Sequence, residues 1–319
     1  MSTPGQRVLW LARIAVALGL VAFLLARSGV MRGDAFAGLV WWPVALGALV
    51  MPVSVGIRAY NLTLLTNVRT RILGPAEAMR LTLVGAGLSL VLPAGAADAA
   101  KAHYGYRTHG HAEEMIVSAA LDKLTSLTAL CLLAAAGGLV TGDAVTAGVA
   151  TLACIATTVP FWAPRLVPWR LALRVLAPGH EADDAVIAAV SRPPVVRLAL
   201  VYAVSIVGWF VTYAVLYLAS RAVGAQVEAV HLFAIAPLTS LARMVPISAG
   251  GVGLGEVTYA GLLAAAGVPT DVASQAALVA LALVVLAPGA VGLLLLAAGR
   301  YQRTSATSHG NGEDSSTDS

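Results

Sequence analysis

Apolar residues come in long unbroken runs separated by short polar loops, with neither the alternation of half-buried strands nor the narrow stripe of a surface helix. Residues 116–140, 144–163, 195–220 and 272–298 are each apolar and long enough to cross a hydrocarbon core of roughly 30 Å, which takes about 20 residues of helix. Residues 14–26 and 38–57 add two more. Two further apolar segments, 81–92 and 232–245, are short. The first ends at Pro93-Ala94-Gly95 and the second, which holds Pro237 and Arg243, ends at Pro246-Ile247-Ser248-Ala249-Gly250-Gly251-Val252-Gly253. Proline followed by glycine ends a helix, and the freed backbone groups then need partners inside the protein. Both segments read as re-entrant.

The breaks occupy corresponding places. Residues 1–140 read span, span, broken segment, span, and residues 141–303 read the same way. The expected fold is an all-α integral membrane protein, an inverted repeat of two halves with about six full spans and two re-entrant or broken helices. Counting every apolar run as a span gives parallel halves instead.

Composition supports the bilayer. The chain is 59% hydrophobic and 11% charged, with mean hydropathy +0.84, whereas soluble domains carry about 25% charged residues. Its net charge of +4 is spread over short loops, as the positive-inside rule expects, so nucleic acid is not an expected partner. Arg58, Arg69, Arg71 and Arg80 put the segment 58–80 in the cytoplasm. Thr141-Gly142-Asp143, without a basic residue, lies outside. Arg165, Arg170, Arg174, Arg192 and Arg197 make the stretch 164–197, with its linker at about 164–194, cytoplasmic again, and Arg300 and Arg303 place the C-terminus there. The basic N-terminus precedes an uncleaved span rather than a signal peptide, because Ala35-Phe36-Ala37 lies too far beyond the apolar run. Residues 304–319, polar and acidic, read as a disordered tail.

Charge inside a bilayer costs at least about 2.5–3.5 kcal/mol per residue at a helix centre, so charges beside the breaks are candidate site residues. Asp98 and Lys101 follow the first break at i, i+3, close enough to pair on one face. Arg243 enters the second break and Glu256 follows it. Arg58, Lys101, Arg243 and the helix N-termini after the glycines suit an anionic headgroup. Asp98 and Glu256 hold those cations or titrate; alternatively, the four residues stitch the breaks together. Asp122 and Lys123, adjacent in sequence, point in different directions: Asp122 inward towards Lys101 or Arg58, Lys123 snorkelling towards the cytoplasm.

Other motifs carry less. Gly251-Val252-Gly253-Leu254-Gly255 lacks the preceding strand of a dinucleotide loop, and there is no phosphate-binding GxxxxGK[ST] sequence. His103, His109 and His111, read as a polar loop, lack metal-ligand spacing. No cofactor or metal is expected. Cys131 and Cys154 read as packing residues. Trp41, Trp42, Trp162 and Trp169 read as interface anchors, as do Tyr104 and Tyr106 unless they line a headgroup entrance.

Arg58, Leu92-Pro93-Ala94-Gly95-Ala96-Ala97-Asp98-Ala99-Ala100-Lys101 and Leu121-Asp122-Lys123-Leu124 together resemble the first half of the lysylphosphatidylglycerol synthase transmembrane (flippase-like) family. Val245-Pro246-Ile247-Ser248-Ala249-Gly250-Gly251-Val252-Gly253-Leu254-Gly255-Glu256 resembles its second-half signature. Family members usually carry Arg where Lys101 stands, and an acidic residue near Ser126. The resemblance, running to about residue 300, implies a membrane domain that translocates phospholipids, or handles polyprenyl-linked or glycosylated lipids. Bifunctional relatives add a cytosolic aminoacyltransferase domain, which is not expected of this chain.

The sequence therefore points to a non-enzymatic, multi-pass cell-membrane protein that flips a polar lipid. Its expected site residues are Arg58, Asp98, Lys101, Asp122, Lys123, Arg243, Pro246, Gly250, Gly251, Gly253 and Glu256. The alternatives are a lipid-modifying enzyme using Asp98, Asp122 or Glu256 as acid or base, and an assembly subunit for a synthase or glycosyltransferase. Oligomeric state stays open, since small residues such as Gly85 and Gly87 serve internal or intersubunit packing alike.

Overall fold

The computed structural model describes residues 4–29, 38–92, 96–162, 167–245 and 252–310. Its elements are α1 (Pro4–Arg27), α2 (Trp41–Thr66), α3 (Pro75–Val91), α4 (Ala96–His109), α5 (Ala112–Thr141), α6 (Ala144–Trp162), α7 (Trp169–Leu176), α8 (Asp184–Ser191), α9 (Val195–Ala222), α10 (Ala229–Met244), α11 (Leu254–Ala265), α12 (Thr270–Leu281) and α13 (Ala287–Gly310). A π-helical turn, Ala282–Leu286, joins the last two. Among the described residues there is no strand, and five helical stretches are long and apolar enough to span a membrane: α2, α5, α6, α9 and the run from α12 into α13. The chain is a multi-pass helical membrane protein.

Helix ends follow local chemistry. Pro75 opens α3 while the Glu77 carboxylate accepts the Gly74 N–H at 2.8 Å. Asp143 and Asp183 accept first-turn N–H groups of α6 and α8, and Gly142 closes α5 in the left-handed region at φ 74°.

Both short apolar segments end as the Pro–Gly signals require: α3 stops at Val91 and the chain resumes as α4, and α10 stops at Met244 and resumes as α11. The turns themselves, 93–95 and 246–251, lie outside the described residues. So do the expected site residues Pro246, Gly250 and Gly251.

The halves are related by inversion. α2 and α9, the second span of each half, face one another, and their contacts fix the direction. The Val40 N–H meets the Ala222 carbonyl at 2.8 Å. Ser54 Oγ meets Thr212 Oγ1 at 2.9 Å, Asn61 donates to Ser205 at 2.9 Å, and Arg197 donates to the Asn67 carbonyl at 2.8 Å. Numbers rise on α2 as they fall on α9, so these equivalent helices are antiparallel; a parallel repeat would make them run the same way. The neighbours match too. α3 packs on α13 as α10 packs on α5, α4 on α5 as α11 on α12, and α2 on α5 as α9 on α12.

Glycine makes the closest of these approaches possible. A Cβ on Gly137 would lie 2.5 Å from the Phe233 carbonyl oxygen of α10, and one on Gly87 2.5 Å from the Leu293 nitrogen of α13. Each half thus seats its entering arm on a span of the other half. Gly85 and Gly87 both face inward, which settles their packing as internal.

Several expectations change. The linker folds as α7 and α8, which bury Trp169, Leu173, Ile187 and Val190 with Ile116, Val117 and Leu121 of α5. Trp169 is therefore core, not an interface anchor; Trp41 and Trp42 remain exposed. His103 and His109 lie in α4 rather than a loop, because no proline interrupts the segment, Gly105 is held inside the helix against Met115 and Leu81, and the chain turns only at Gly110. Residues 304–310 continue α13 as helix. Thr304–Ser308 contain no proline or glycine to stop a helix already running from α12, and 311–319 lie outside the described residues.

Candidate functional site

A cavity of about 270 Å³ lies where both entering arms approach the α2–α9 pair. Its walls are α2 (Met51, Val55, Arg58), α3 (Thr82, Gly85, Ser89), α4 (Asp98, Lys101), α5 (Lys123), α9 (Trp209, Thr212), α10 (Ser240, Arg243) and the π turn (Val284, Val285) with Pro288. The sequence separates these residues by more than 200 positions; the inverted packing brings them to one place.

Two ion pairs join α4 to α5. Lys101 Nζ lies 3.5 Å from an Asp122 carboxylate oxygen, and Lys123 Nζ lies 3.1 Å from Asp98. The expected pairing of Asp98 with Lys101 along α4 is replaced by this crossed arrangement. The reason is steric: the Lys101 stem lies across Gly85 of α3, where a Cβ would come within 2.7 Å of its Cδ, and from there its tip reaches Asp122. Lys123 ends on Asp98 instead of snorkelling away. Asp122, on the far side of Lys101, also accepts from Asn61 at 3.4 Å.

Arg58 is held differently. Its guanidinium lies 4.9 Å from the Trp209 ring centroid, over the face that attracts cations. Nη2 donates to Thr212 Oγ1 at 3.4 Å, and Thr212 is braced by Ser54 at 2.9 Å. The indole N–H of Trp209 is fixed on the Ser126 carbonyl at 3.1 Å. Among the described residues no carboxylate pairs with Arg58, and its remaining surface opens onto the main cavity and a second of about 20 Å³ shared with Asn61 and Asp122.

At the second break, Arg243 crosses Gly255 and grips Glu256. Nη2 and Nε lie 2.8 and 3.2 Å from Oε1, and Oε2 accepts the Gly253 N–H at 2.7 Å. Glu256 is fully buried at 0% exposure, with Arg243 at 15%. Gly253, at φ 90°, starts α11 against Ala17 and Leu20 of α1. No side chain fits there, because both the left-handed backbone and the contact with Leu20 exclude a Cβ.

Of the residues expected from sequence, Arg58, Asp98, Lys101, Lys123 and Arg243 line one cavity. Asp122 and Glu256 stand directly behind it as counterions. Gly253 caps α11 away from the lining. Sequence reasoning missed Trp209, Thr212, Asn61, Ser240 and the π turn. A signal for some of these exists: Ser205, Trp209 and Thr212 fall at i, i+4 and i+7 in an otherwise apolar span, one polar stripe on one helix face.

A family model described as the lysylphosphatidylglycerol synthase TM region matches residues 10–292 of the chain. That range takes in both breaks and every wall of the cavity. A search of curated proteins finds no match.

Proposed function

The chain belongs to the lysylphosphatidylglycerol synthase TM region family, and from that premise we propose that it translocates a polar lipid across the cell membrane. The headgroup crosses through the cavity between the two broken helices while the acyl chains stay in the bilayer. The observation that carries this reading is a charged cavity set between the apolar spans α2, α5 and α9 and the arms of both breaks. At about 270 Å³ it is smaller than the clefts of about 300–1,000 Å³ that take up drug-sized ligands, so part of a lipid fits there and a whole one does not. Inversion of the halves supplies the means, because exchanging the conformations of two equivalent arms would open the same site to the other side. In this reading both termini are cytoplasmic, the lipid is the partner, and no bond is made or broken.

A lipid-modifying enzyme is less well supported, since each of the three carboxylates at the cavity is placed as a counterion to a lysine or arginine. An assembly subunit for a synthase or glycosyltransferase would leave the charged cavity without a use.

The test is reconstitution into vesicles carrying lipids labelled on the acyl chain, with a membrane-impermeant quencher reporting movement between leaflets. Movement that falls about tenfold or more in Asp98→Ala supports translocation; loss of charge-assisted contacts commonly has effects of that size. Chemically altered lipid without movement replaces the proposal with the enzyme. Neither result, with a synthase or glycosyltransferase co-purifying, replaces it with the subunit.

A further inference from the structure

The charges around the cavity do not balance, and the imbalance sits on one residue. Arg58, Lys101, Lys123 and Arg243 line it; Asp98, Asp122 and Glu256 are the carboxylates that pair with the latter three. The break segments 93–95 and 246–251 contain no charged residue. One positive charge is therefore in excess however the pairs are drawn, and the residue without a carboxylate partner among the described residues is Arg58.

Its setting is that of a binding group. A guanidinium has five N–H donors and no acceptor; here Thr212 takes one of them. Stacking on Trp209, itself fixed by Ser126, holds the plane so that the edges remain available. An unpaired charge among apolar spans is costly, so an anion able to enter the cavity is drawn to this position. The fork of a guanidinium matches two oxygens on one phosphorus, as the two unesterified oxygens of a phosphodiester offer.

We propose that the cavity selects a lipid headgroup carrying one net negative charge, a monoanionic phosphodiester, and that Arg58, stacked on Trp209, is the residue that binds its phosphate. This rests on the lipid-translocation reading and adds the charge class of the lipid to it. A monoanion brings the cavity to neutrality. A zwitterionic headgroup leaves the excess in place, and a dianionic monoester overshoots it. The ion pairs at Lys101 and Lys123 stay closed, because one phosphate needs no second cation for balance.

Two measurements at pH 8 on the full chain separate this inference from its premise. In detergent, water-soluble dihexanoyl forms of phosphatidylethanol, phosphatidylcholine and phosphatidic acid are titrated against the thermal unfolding midpoint, with dimethyl phosphate as the free phosphodiester. In vesicles, acyl-labelled forms of the same three lipids are followed between leaflets. Phosphatidylethanol is expected to bind about tenfold more tightly than the other two, the size of one charge-assisted contact. The preference should vanish in Arg58→Gln and survive only in part in Arg58→Lys, which keeps the charge but loses the fork and the stacking. Equal binding of all three lipids overturns the inference, as does an Arg58→Gln protein that keeps the preference. Dimethyl phosphate binding as tightly as the lipid overturns the lipid assignment. Lipids that move at equal rates leave translocation standing and overturn charge selection. Selective binding without any movement supports the inference and overturns translocation. An Arg58→Gln protein that fails to fold leaves the test with Arg58→Lys and with the ranking of lipids on the unaltered chain.

Discussion

The two helix breaks are built from the same parts and reach different states. In each, a lysine or arginine from one arm lies across a glycine of the other: Lys101 across Gly85, Arg243 across Gly255. At the second break the cation ends on Glu256, which is fully buried, with one oxygen taken by Arg243 and the other by the Gly253 N–H. At the first, Lys101 and Asp98 find partners on α5 rather than on each other. Those pairs are looser and partly open, with side-chain exposures of 12% and 21% for Lys101–Asp122 and 42% and 38% for Lys123–Asp98. The difference teaches that charge beside a broken helix does two kinds of work. A pair whose carboxylate is dry and has both oxygens taken fixes the return of the chain; a pair whose carboxylate is partly exposed keeps its ions within reach of a ligand.

The largest effect should come from cutting the dry pair. Glu256→Ala leaves the Arg243 charge enclosed and the Gly253 N–H without its acceptor. Removing one partner of a buried pair costs about 3–5 kcal/mol, so the variant should unfold at a clearly lower temperature in detergent. The double change Arg243→Met with Glu256→Met should recover much of that loss, because no unpaired charge remains. A Glu256→Ala protein as stable as the parent would erase the distinction between the breaks.

Next comes Gly255→Ala, whose Cβ would fall on the Arg243 stem where it crosses α11. Displacing a buried side chain in this way costs about 1–3 kcal/mol. Gly85→Ala meets the Lys101 stem at a partly open pair and should cost less, since the lysine can swing and alanine favours the helix by about 1 kcal/mol. Thermal unfolding of the two variants side by side checks the order; the reverse order would make the first break the rigid one.

Asp98→Asn probes the open pair. A partly exposed ion pair is worth about 1 kcal/mol or less, so stability should barely move. Under the proposed function, lipid movement should fall, because Lys123 would then add a second uncompensated charge to the cavity. A loss of stability rivalling that of Glu256→Ala would show both breaks to be stitches.

Much of this was legible in the chain. Run lengths gave the spans, and the Pro–Gly signals placed both breaks; proline alone would not have, since Pro52, Pro160 and Pro237 lie inside α2, α6 and α10, and it is the glycines that follow which let the chain turn. The charged residues of the cavity were legible from the cost of charge in a bilayer. Pairing was not. Asp98 and Lys101 satisfy the i, i+3 rule, yet the rule describes an isolated helix, and α5 offers both residues a partner across the helix interface. Trp169 sits near a span end like an interface anchor, but burial depends on α7 folding back over α5. Trp209 shares a helix face with Ser205 and Thr212, but that stripe does not name its partner: its role arises from Arg58, which is 151 positions earlier in sequence and opposite it because α2 and α9 are antiparallel.

The smallest effect sharpens the comparison by extending the burial series to its open end. Arg170 of α7 and Asp184 of α8 form a two-pronged pair with side-chain exposures of 64% and 63%. The hydrogen bonds and charge of Arg170 hold the Asp184 carboxyl below its ordinary value. A depressed carboxyl stabilises the fold at pH values above its unfolded pKa, about 3.9, and that contribution disappears as pH falls through the lower folded value. Both groups are solvated, so the contribution is small at any pH and shrinks further with salt. Asp184→Asn should therefore unfold within experimental scatter of the parent at pH 7, and any difference should close as pH falls through the lowered folded value. The loss of stability would then rise with the burial of the broken pair, from Asp184 through Asp98 to Glu256. An Asp184→Asn protein less stable than Asp98→Asn would mean that docking of the linker on α5, rather than burial of charge, governs how these pairs are ranked.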